Sequence, residues 1–265
     1  MKKIFLYFLL AGLMFGFSGC LDDDEPDIAS FVDVPQQVLS QNEIFVPQIQ
    51  INQDGWVVVH ANSNDAPVTP NIVSEVDTLP EAGFYDRQVL IKFTPDANLA
   101  DGNKYWVMLH EDTGTDDVYE FDGQNNLDPP LMQDGEIVMD SATVFAPFVE
   151  VSDQPISNNQ IIIDETRMGQ QGWIVVHLTD DQGNPGAVVG QTRVSTQQNA
   201  TTSDIVVNLD DTQTYTTGDE LFAMLHINVE PFDEFNFPDG GDLPEVFGFD
   251  ATDEPAVVLT RFTIQ

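Results

Sequence analysis

Short apolar runs alternate with clusters of turn-forming residues along almost the whole chain after Phe31. The runs at residues 44–46, 89–91 and 136–138 are too short for helices and are bounded by Asn, Asp, Gly and Pro. No segment keeps the 3.6-residue period of an amphipathic helix. About seven such runs in each half, about ten residues apart, predict β-sandwiches.

One pattern occurs twice. The motif Gly-Trp-Val-Val-Val-His at residues 55–60 returns as Gly-Trp-Ile-Val-Val-His at 172–177, and Trp-Val-Met-Leu-His at 106–110 returns as Phe-Ala-Met-Leu-His at 222–226. The register between the two pairs slips by one residue, so the chain contains one domain in two copies with a shared loop plan. The same alignment places Ile44 on Ile161, Asp117 on Asp233 and Phe121 on Phe237. All four histidines of the chain lie on these motifs: His60, His110, His177 and His226.

The repeat divides the chain into a signal segment at 1–19, a tether at 20–31, and β domains at 32–147 and 148–265. The predicted fold is all-β, with two tandem immunoglobulin-like β-sandwich domains that abut because no Gly/Ser linker separates them. Each domain is long enough to bury a core without covalent staples. Cys20 is the single cysteine, so the chain can form no internal disulfide.

The N-terminus has the pattern of a targeting segment. Lys2 and Lys3 precede an apolar stretch at 4–17, which is too short for an ordinary membrane span and suits a secretory signal. The sequence Phe-Ser-Gly-Cys ending at Cys20 resembles a bacterial lipobox, with Phe in place of the usual Leu. That resemblance implies a lipid on Cys20 after cleavage; an ordinary signal peptide is the alternative. The acidic stretch at 21–27 resembles the export signal of Bacteroidota surface lipoproteins, which implies lipid anchoring at the outer face of the outer membrane.

The charge balance is strongly acidic. Forty-five acidic residues against eight basic ones give a formal net charge of −37 at pH 7. Such a surface repels nucleic acid and anionic lipid, which excludes nucleic acid as a partner. Two interpretations of the acidity remain open, a solvated surface suited to high salt and specific calcium binding.

The histidines end the two motif strands on the same face as their tryptophans. In an immunoglobulin-like order these strands run antiparallel, which places His60 and His110 at opposite ends of the sandwich, about 20 Å apart. This separation predicts structural histidines rather than a shared metal site, and metal ligation is the alternative. A blue-copper centre is excluded because it needs a cysteine thiolate.

Each copy has one long loop after its second histidine, at residues 111–134 and 230–253, and both loops mix acids with aromatic residues. Loops of this length are usually functional or disordered. In the first copy the carboxylates surround a glycine, as in oxygen-ligand calcium loops, without matching the EF-hand pattern. The calcium ligands predicted there are Asp112, Asp116, Asp117 and Glu120, and a solvated loop is the alternative. The second copy offers Asn228, Glu230, Asp233 and Glu234 instead.

The three tryptophans stand on predicted strands. Strand tryptophans usually belong to the core, so we expect core positions for Trp56, Trp106 and Trp173. A sugar-stacking platform is the alternative.

Catalytic motifs are missing from the sequence. There is no G-x-S-x-G motif and no thiol nucleophile, and the His-Glu-Asp-Thr-Gly sequence at 110–114 lacks the second histidine of a zinc helix. We therefore expect a protein without enzymatic activity. Carboxylates are abundant, so the sequence leaves open an extracytoplasmic hydrolase of polysaccharide or protein, and also a calcium-stabilised spacer.

The paired Gly-Trp-[Val/Ile]-Val-Val-His and Met-Leu-His motifs resemble an uncharacterised β-domain family found in surface proteins of haloarchaea and bacteria. The resemblance covers about residues 32–265 and implies architecture and location rather than a reaction. It implies a surface protein with a binding, adhesion or structural role. The expected partners are the membrane through Cys20 and a surface protein or glycan, and calcium is the only cofactor suggested.

Overall fold

The structure is a computed structural model that describes residues 29–79, 83–85, 89–115, 118–195, 200–229, 234–238 and 240–265. Only the backbone is described for residues 78, 84 and 85. The predicted signal segment, Cys20 and the acidic stretch at 21–27 lie outside these ranges, as do Asp116 and Asp117. Within the ranges no helix is long and apolar enough to span a membrane.

The first domain contains thirteen strands and one 3-10 turn at Pro95–Ala97, and it has no α-helix in its described part. Its strands are β1 (Phe31–Asp33), β2 (Gln37–Val38), β3 (Glu43–Val46), β4 (Gln48–Ile51), β5 (Gly55–Ser63), β6 (Ala66–Pro67), β7 (Asp77–Leu79), β8 (Gly83–Tyr85), β9 (Val89–Lys92), β10 (Lys104–Glu111), β11 (Met132–Gln133), β12 (Glu136–Ile137) and β13 (Met139–Phe145).

The second domain is equally rich in strands. They are β14 (Phe148–Glu150), β15 (Gln160–Arg167), β16 (Gly172–Thr179), β17 (Pro185–Val194), β18 (Thr201–Asn208), β19 (Glu220–Ile227), β20 (Leu243–Pro244), β21 (Val246–Phe249), β22 (Pro255–Val257) and β23 (Leu259–Thr263). The prediction of two tandem all-β domains is confirmed.

Each domain has the two motif strands at the centre of one sheet. In the first domain the strand order is β2-β13-β10-β5-β6, with β7 also paired to β5. In the second domain the order is β17-β16-β19-β20, with β23 also paired to β19. The opposite layer consists of β1-β4-β8 and β3-β9 in the first domain and of β14-β15-β18 in the second.

Alternate residues of the motif strands form the centre of each core. Val57, Val59, Val107 and Leu109 are fully buried in the first core, and Ile44 packs there from the opposite layer. The second core repeats this arrangement with Ile174, Val176, Ala223, Leu225 and Ile161. Successive residues of a strand alternate between its two faces. The histidines therefore lie on the opposite face of the motif strands, outside the sandwich core.

The two copies differ in their connections, so the expectation of one shared loop plan holds only in part. After β16 the second domain continues into β17, which pairs along the whole of β16. In the first domain the described residues place only the short β6 and β7 at the matching edge of β5. The predicted loop at 230–253 also contains regular structure, because β20 and β21 occupy part of it.

A turn of the first domain docks onto a strand of the second. Gln41 and Asn42 have φ of 55° and 57°, the geometry of a tight two-residue β-turn. Asn42 is fully buried and bonds twice to the backbone of Gly248, donating from Nδ2 to its carbonyl at 2.9 Å and accepting its N–H at 2.7 Å. Phe247 packs against the first core. The two domains therefore meet through a buried, hydrogen-bonded junction.

Glu245 lies at the centre of this junction. Its fully buried carboxylate accepts hydrogen bonds from Ser40 Oγ and from the Gln41 backbone N–H, both at 2.8 Å. Leu131 occupies the matching position of the first domain, since Glu245 N–H bonds to Leu225 as Leu131 N–H bonds to Leu109. Burial raises the pKa of Glu245, and these hydrogen bonds oppose the rise.

Candidate functional site

The histidine-bearing face of each motif pair is buried although it points away from the core. His60 and His110 are both 0% exposed, yet their neighbours Val59 and Leu109 are the residues that enter the sandwich core. Trp56 shares this outer face and is also buried. Other parts of the chain must therefore cover the outer face of the sheet.

The two histidines of each domain lie side by side, so the predicted separation of about 20 Å was wrong. Strands β5 and β10 are direct neighbours in a register that sets His60 opposite Trp106 and His110 opposite Trp56. This register leaves only four residue steps between the histidines, about 13 Å of strand, and the side chains lean across the gap. The ring centroids of His60 and His110 are 5.9 Å apart, and those of His177 and His226 are 5.8 Å apart.

A glycine at the start of each first motif permits this register. A Cβ built on Gly55 would lie 2.2 Å from the carbonyl oxygen of His110, and a Cβ on Gly172 would lie 2.2 Å from that of His226. Real side chains do not approach a backbone oxygen so closely. The glycine of each Gly-Trp pair thus allows the two motif strands to approach closely. The tryptophan that follows it places an aromatic ring on the outer face of the sheet.

Aromatic residues of the long loops cover the histidines. The ring of His110 lies 5.3 Å from Tyr119 and 4.9 Å from Phe121, in edge-to-face geometry. Tyr119 also contacts Trp56, at 6.0 Å between centroids. The second domain repeats the cover with Phe235 and Phe237, whose rings lie 5.5 Å and 4.7 Å from His226. The long loops therefore close an aromatic lid over each histidine pair.

A buried aspartate fixes each lid. The carboxylate of Asp128, 0% exposed, accepts the backbone N–H groups of Thr113, Gly114 and Glu120 at 3.0, 3.2 and 2.7 Å. In the second domain Asp242 accepts the N–H groups of Val229 and Asn236 in the same way. Several bonds to one charged acceptor hold a loop more firmly than neutral bonds would.

Backbone carbonyls orient three of the four imidazoles. Nδ1 of His60 donates to Asn71 at 2.9 Å, Nδ1 of His110 donates to Asp128 at 2.7 Å, and Nδ1 of His177 donates to Gly186 at 2.9 Å. A carbonyl can only accept, so the hydrogen is on Nδ1 and the lone pair is on Nε2.

Burial keeps the four rings neutral. Desolvation lowers the pKa of His60 and His177, and lowers the pKa of His110 and His226 to about 4. Carbonyl hydrogen bonds oppose the shift at His60, His110 and His177. At neutral pH each ring is therefore an uncharged base.

Several of these buried nitrogens lack hydrogen-bond partners within the described ranges. They are Nε2 of His60, Nε2 of His177, both ring nitrogens of His226, and Nε1 of Trp56. Nε2 of His110 has only the Tyr119 hydroxyl at 3.5 Å, which lies almost equally far from Nδ1. A buried polar atom without a partner usually costs about 1–3 kcal/mol, so such a cluster in both domains points to a function.

The residues predicted to bind calcium are only partly described. Glu120 accepts the backbone N–H of Thr115 at 2.6 Å, so its carboxylate already stabilises the loop through a hydrogen bond. Asp112 forms interactions of its own, and Asp116 and Asp117 lie outside the described residues. Among the described residues no three His, Cys, Asp or Glu side chains converge as a metal site would require. Calcium binding stays a prediction.

The tryptophans occupy two environments. Trp56 and Trp173 are buried, but beneath the lids on the outer face rather than in the sandwich cores. Trp106 is partly exposed, donates from Nε1 to Asn62 at 2.9 Å, and has the Lys104 ammonium 4.5 Å from its ring. The expected core position is therefore wrong for Trp106.

An open groove of about 700 Å³ lies beside the lid of the first domain. Tyr119 and Phe121 of the lid form one wall, and the segment containing Asn71, the carbonyl partner of His60, forms the other. Asp96 and Asp122 stand at its exposed edge. The groove gives this face of the first domain a concave, partly aromatic surface.

Sequence reasoning missed Asp128 and Asn71, whereas Tyr119 lies in the long acidic and aromatic loop that it singled out. Asn71 acts through its backbone carbonyl, for which a side-chain pattern gives no signal. Asp128 and Asp242 do share a signal, since an Asp-X-Pro sequence stands at 128–130 and again at 242–244. Extending the repeat alignment past Phe121 would have found it.

Comparison with known proteins found one similar surface protein and one structure with a weak resemblance. A cell surface glycoprotein 2 from Haloarcula hispanica is 28% identical over 215 residues, which cover 74% of this chain and 21% of that protein. The chain thus spans about a fifth of that relative. The crystal structure of CBD12 from CALX1.2 aligns over 84% of this chain and 94% of its own, with 7% identity and a TM-score of 0.22, which is too low to define a shared fold.

The two β domains correspond to two family matches. The family described as "Domain of unknown function (DUF7282)" matches residues 30–145 and again residues 147–257. These ranges include both histidine motifs and both lids. The chain is therefore a member of the DUF7282 family, with two tandem copies of its domain.

Proposed function

We propose that this protein is a lipid-anchored surface protein with a binding and structural role, in which the two β domains act as one rigid unit. The similarity to a cell surface glycoprotein supports a surface location. The junction between the domains is the observation that supports a rigid unit. There, buried polar groups of Asn42 and Glu245 form hydrogen bonds across the domain boundary. Buried polar groups that are fully paired favour one relative arrangement of the domains.

Replacing Glu245 by Ala should uncouple the two domains. The substitution leaves Ser40 and the Gln41 N–H without their acceptor, and a buried donor left without a partner costs about 1–3 kcal/mol. We expect the wild-type chain to unfold in one calorimetric transition and the Glu245→Ala chain in two, with the first domain melting earlier. Replacing the exposed Glu254 by Ala is the control and should leave the transition whole. An unsplit transition in the Glu245→Ala chain would contradict the rigid-unit proposal.

Glu245→Gln separates the loss of charge from the loss of the acceptor. Burial raises the pKa of Glu245 above its ordinary value of 4.5, so the folded chain holds this proton more tightly than the unfolded chain. The resulting stabilisation is complete below pH 4.5 and is lost as the pH rises through the raised pKa. Glutamine is neutral throughout. In urea unfolding, the wild-type chain should therefore lose stability relative to Glu245→Gln between pH 4.5 and pH 7.

The anchor is proposed at Cys20, on the sequence evidence of the lipobox. Replacing Cys20 by Ser removes the only thiol that could carry the lipid, so nearly all of the protein should move to the soluble fraction. Membrane fractionation in high salt, followed by immunoblotting, measures this release. Ser18→Ala keeps a small residue and the cysteine, and it should stay with the membrane. A Cys20→Ser chain that still sediments with membranes in high salt would contradict the anchor.

A glycan or another surface protein is the partner class that we propose. The groove beside Tyr119 and Phe121 offers aromatic faces on which a sugar or an apolar side chain could stack. The hydrolase alternative needs a carboxyl group poised as an acid, which requires a raised pKa. Backbone hydrogen bonds instead lower the pKa of Asp122, which stands at this groove. The groove therefore favours binding over hydrolysis.

A further inference from the structure

In each imidazole pair, hydrogen bonds within the described residues do not account for all of the Nε2 lone pairs. In the first domain both Nδ1 atoms donate to carbonyls, so both Nε2 atoms are acceptors and cannot bond to each other. Nε2 of His60 meets no donor among the described residues, Nε2 of His110 has only the Tyr119 hydroxyl at 3.5 Å, and both rings are completely buried. In the second domain Nε2 of His177 and Nε2 of His226 also lack a partner within the described ranges. Each domain therefore holds two neutral, buried rings close together, with at least one Nε2 lone pair that meets no donor among the described residues.

We propose that each domain binds one copper(I) ion between its two histidines, His60 with His110 and His177 with His226. A metal–imidazole nitrogen bond is about 2 Å long, so two rings on one ion have centroids about 5 to 6 Å apart. The observed separations are 5.9 Å and 5.8 Å. The carbonyl acceptors on Nδ1 are the outer contacts that typically orient histidine ligands.

The identity of the ion follows from the charge and number of the ligands. The site supplies two neutral nitrogens in a fully buried setting, and no third His, Cys, Asp or Glu of the described residues joins them. Zinc in proteins takes four ligands and calcium takes six to eight oxygens, so neither ion suits this pair. A monovalent ion also costs less to bury than a divalent one when no anion compensates it.

A thioether on the same face strengthens the case for a soft ion. Met108 stands two residues before His110 and is completely buried, and Met224 stands two residues before His226. Residues two apart on a strand share a face, so each domain carries a methionine on its histidine face. Thioether and imidazole groups favour copper(I) over the harder divalent ions.

The aromatic lid of each domain would shield a bound copper(I) ion from water. Tyr119 and Phe121 lie edge-on to His110, and Phe235 and Phe237 lie edge-on to His226. These rings close the site to solvent without adding a charge. The open groove of the first domain lies on the other side of Tyr119 and Phe121, and neither histidine lines it.

Anaerobic titration of the whole chain with copper(I) tests the proposal. The chain carries Cys20→Ser so that a free thiol does not compete, and a chromogenic copper(I) chelator reports the bound fraction. We expect two copper(I) ions per chain. X-ray absorption at the copper edge should show imidazole nitrogens as ligands. Zinc and calcium in excess should not displace the copper.

Histidine variants then assign the ions to the pairs. His226 makes no hydrogen bond through either nitrogen within the described part of the chain, so His226→Leu removes a ligand without leaving a described carbonyl unpaired. It should lower the stoichiometry from two ions to one. Adding His60→Gln should lower it to none, while near-ultraviolet circular dichroism verifies that the chain is folded. Met132→Leu, at a methionine that is 49% exposed, is the matched control and should leave two ions bound.

The proposal fails under any of three results. In the first, the wild-type chain binds no copper(I) in competition with the chelator. In the second, the folded His226→Leu chain still binds two ions. In the third, Met132→Leu lowers the stoichiometry as much as the histidine variants do, which would mean that copper binds surface thioethers.

Discussion

Replacing Gly55 by Ala will destabilise the first domain by about 3 kcal/mol, the upper part of the usual range for overpacking. The added methyl group would lie 2.2 Å from the carbonyl oxygen of His110 and 2.7 Å from Cδ1 of Ile51. The side chain of Ile51 can rotate, but the carbonyl belongs to the central strand β10 and cannot yield without disturbing the register. Differential scanning calorimetry should show the melting temperature of the chain lowered by about 10 °C.

Gly83→Ala is the matched control. Gly83 also lies on a strand, but a Cβ built there meets nothing within 4 Å. The control should change the melting temperature little. Gly172→Ala should reproduce the large effect in the second domain, where the added Cβ would meet His226 O and Met168 Cε. Equal melting temperatures for the Gly55→Ala and Gly83→Ala chains would contradict the role assigned to the close strand contact.

Replacing Asp128 by Ala will open the lid over the first histidine pair and cost about 3 kcal/mol or more, since a hydrogen bond to a charged group contributes about 1.5–3 kcal/mol. Three backbone N–H groups, those of Thr113, Gly114 and Glu120, lose their acceptor. Asp128 also has a φ of 44°, a conformation that alanine adopts less readily than aspartate. Hydrogen exchange should accelerate strongly at these three amides, and urea unfolding should give the loss of stability.

Two control variants test whether the loss of the Asp128 carboxylate causes the loss of stability. Asp128→Asn keeps one carbonyl acceptor and tolerates the positive φ, so it should lose less stability than alanine. Asp122→Ala removes a carboxylate of the same loop that bonds the exposed amides of Gln124 and Asn125, and it should change stability by no more than about 0.5 kcal/mol. Similar losses in Asp122→Ala and Asp128→Ala would mean that Asp128 does not fix the lid.

The sequence by itself determined the duplication, the all-β class and the faces of the motif strands. Strand alternation is a local property, so Trp56 and His60 were placed on one face without knowledge of the fold. The same holds for the correspondence of Phe121 with Phe237, which contact His110 and His226 in matching ways. Charge composition likewise argued against nucleic acid without reference to structure.

Only the tertiary structure decided which faces are buried and which residues meet. The separation of His60 and His110 depends on the register between β5 and β10, and a register is set by pairing between distant segments. The burial of the outer face depends on loops that return over it, which no local periodicity records. The partners of the imidazoles are backbone carbonyls of Asn71 and Asp128, and every residue type has such a carbonyl. For that reason the sequence could show that the histidines recur, while the fold alone shows that they form buried pairs.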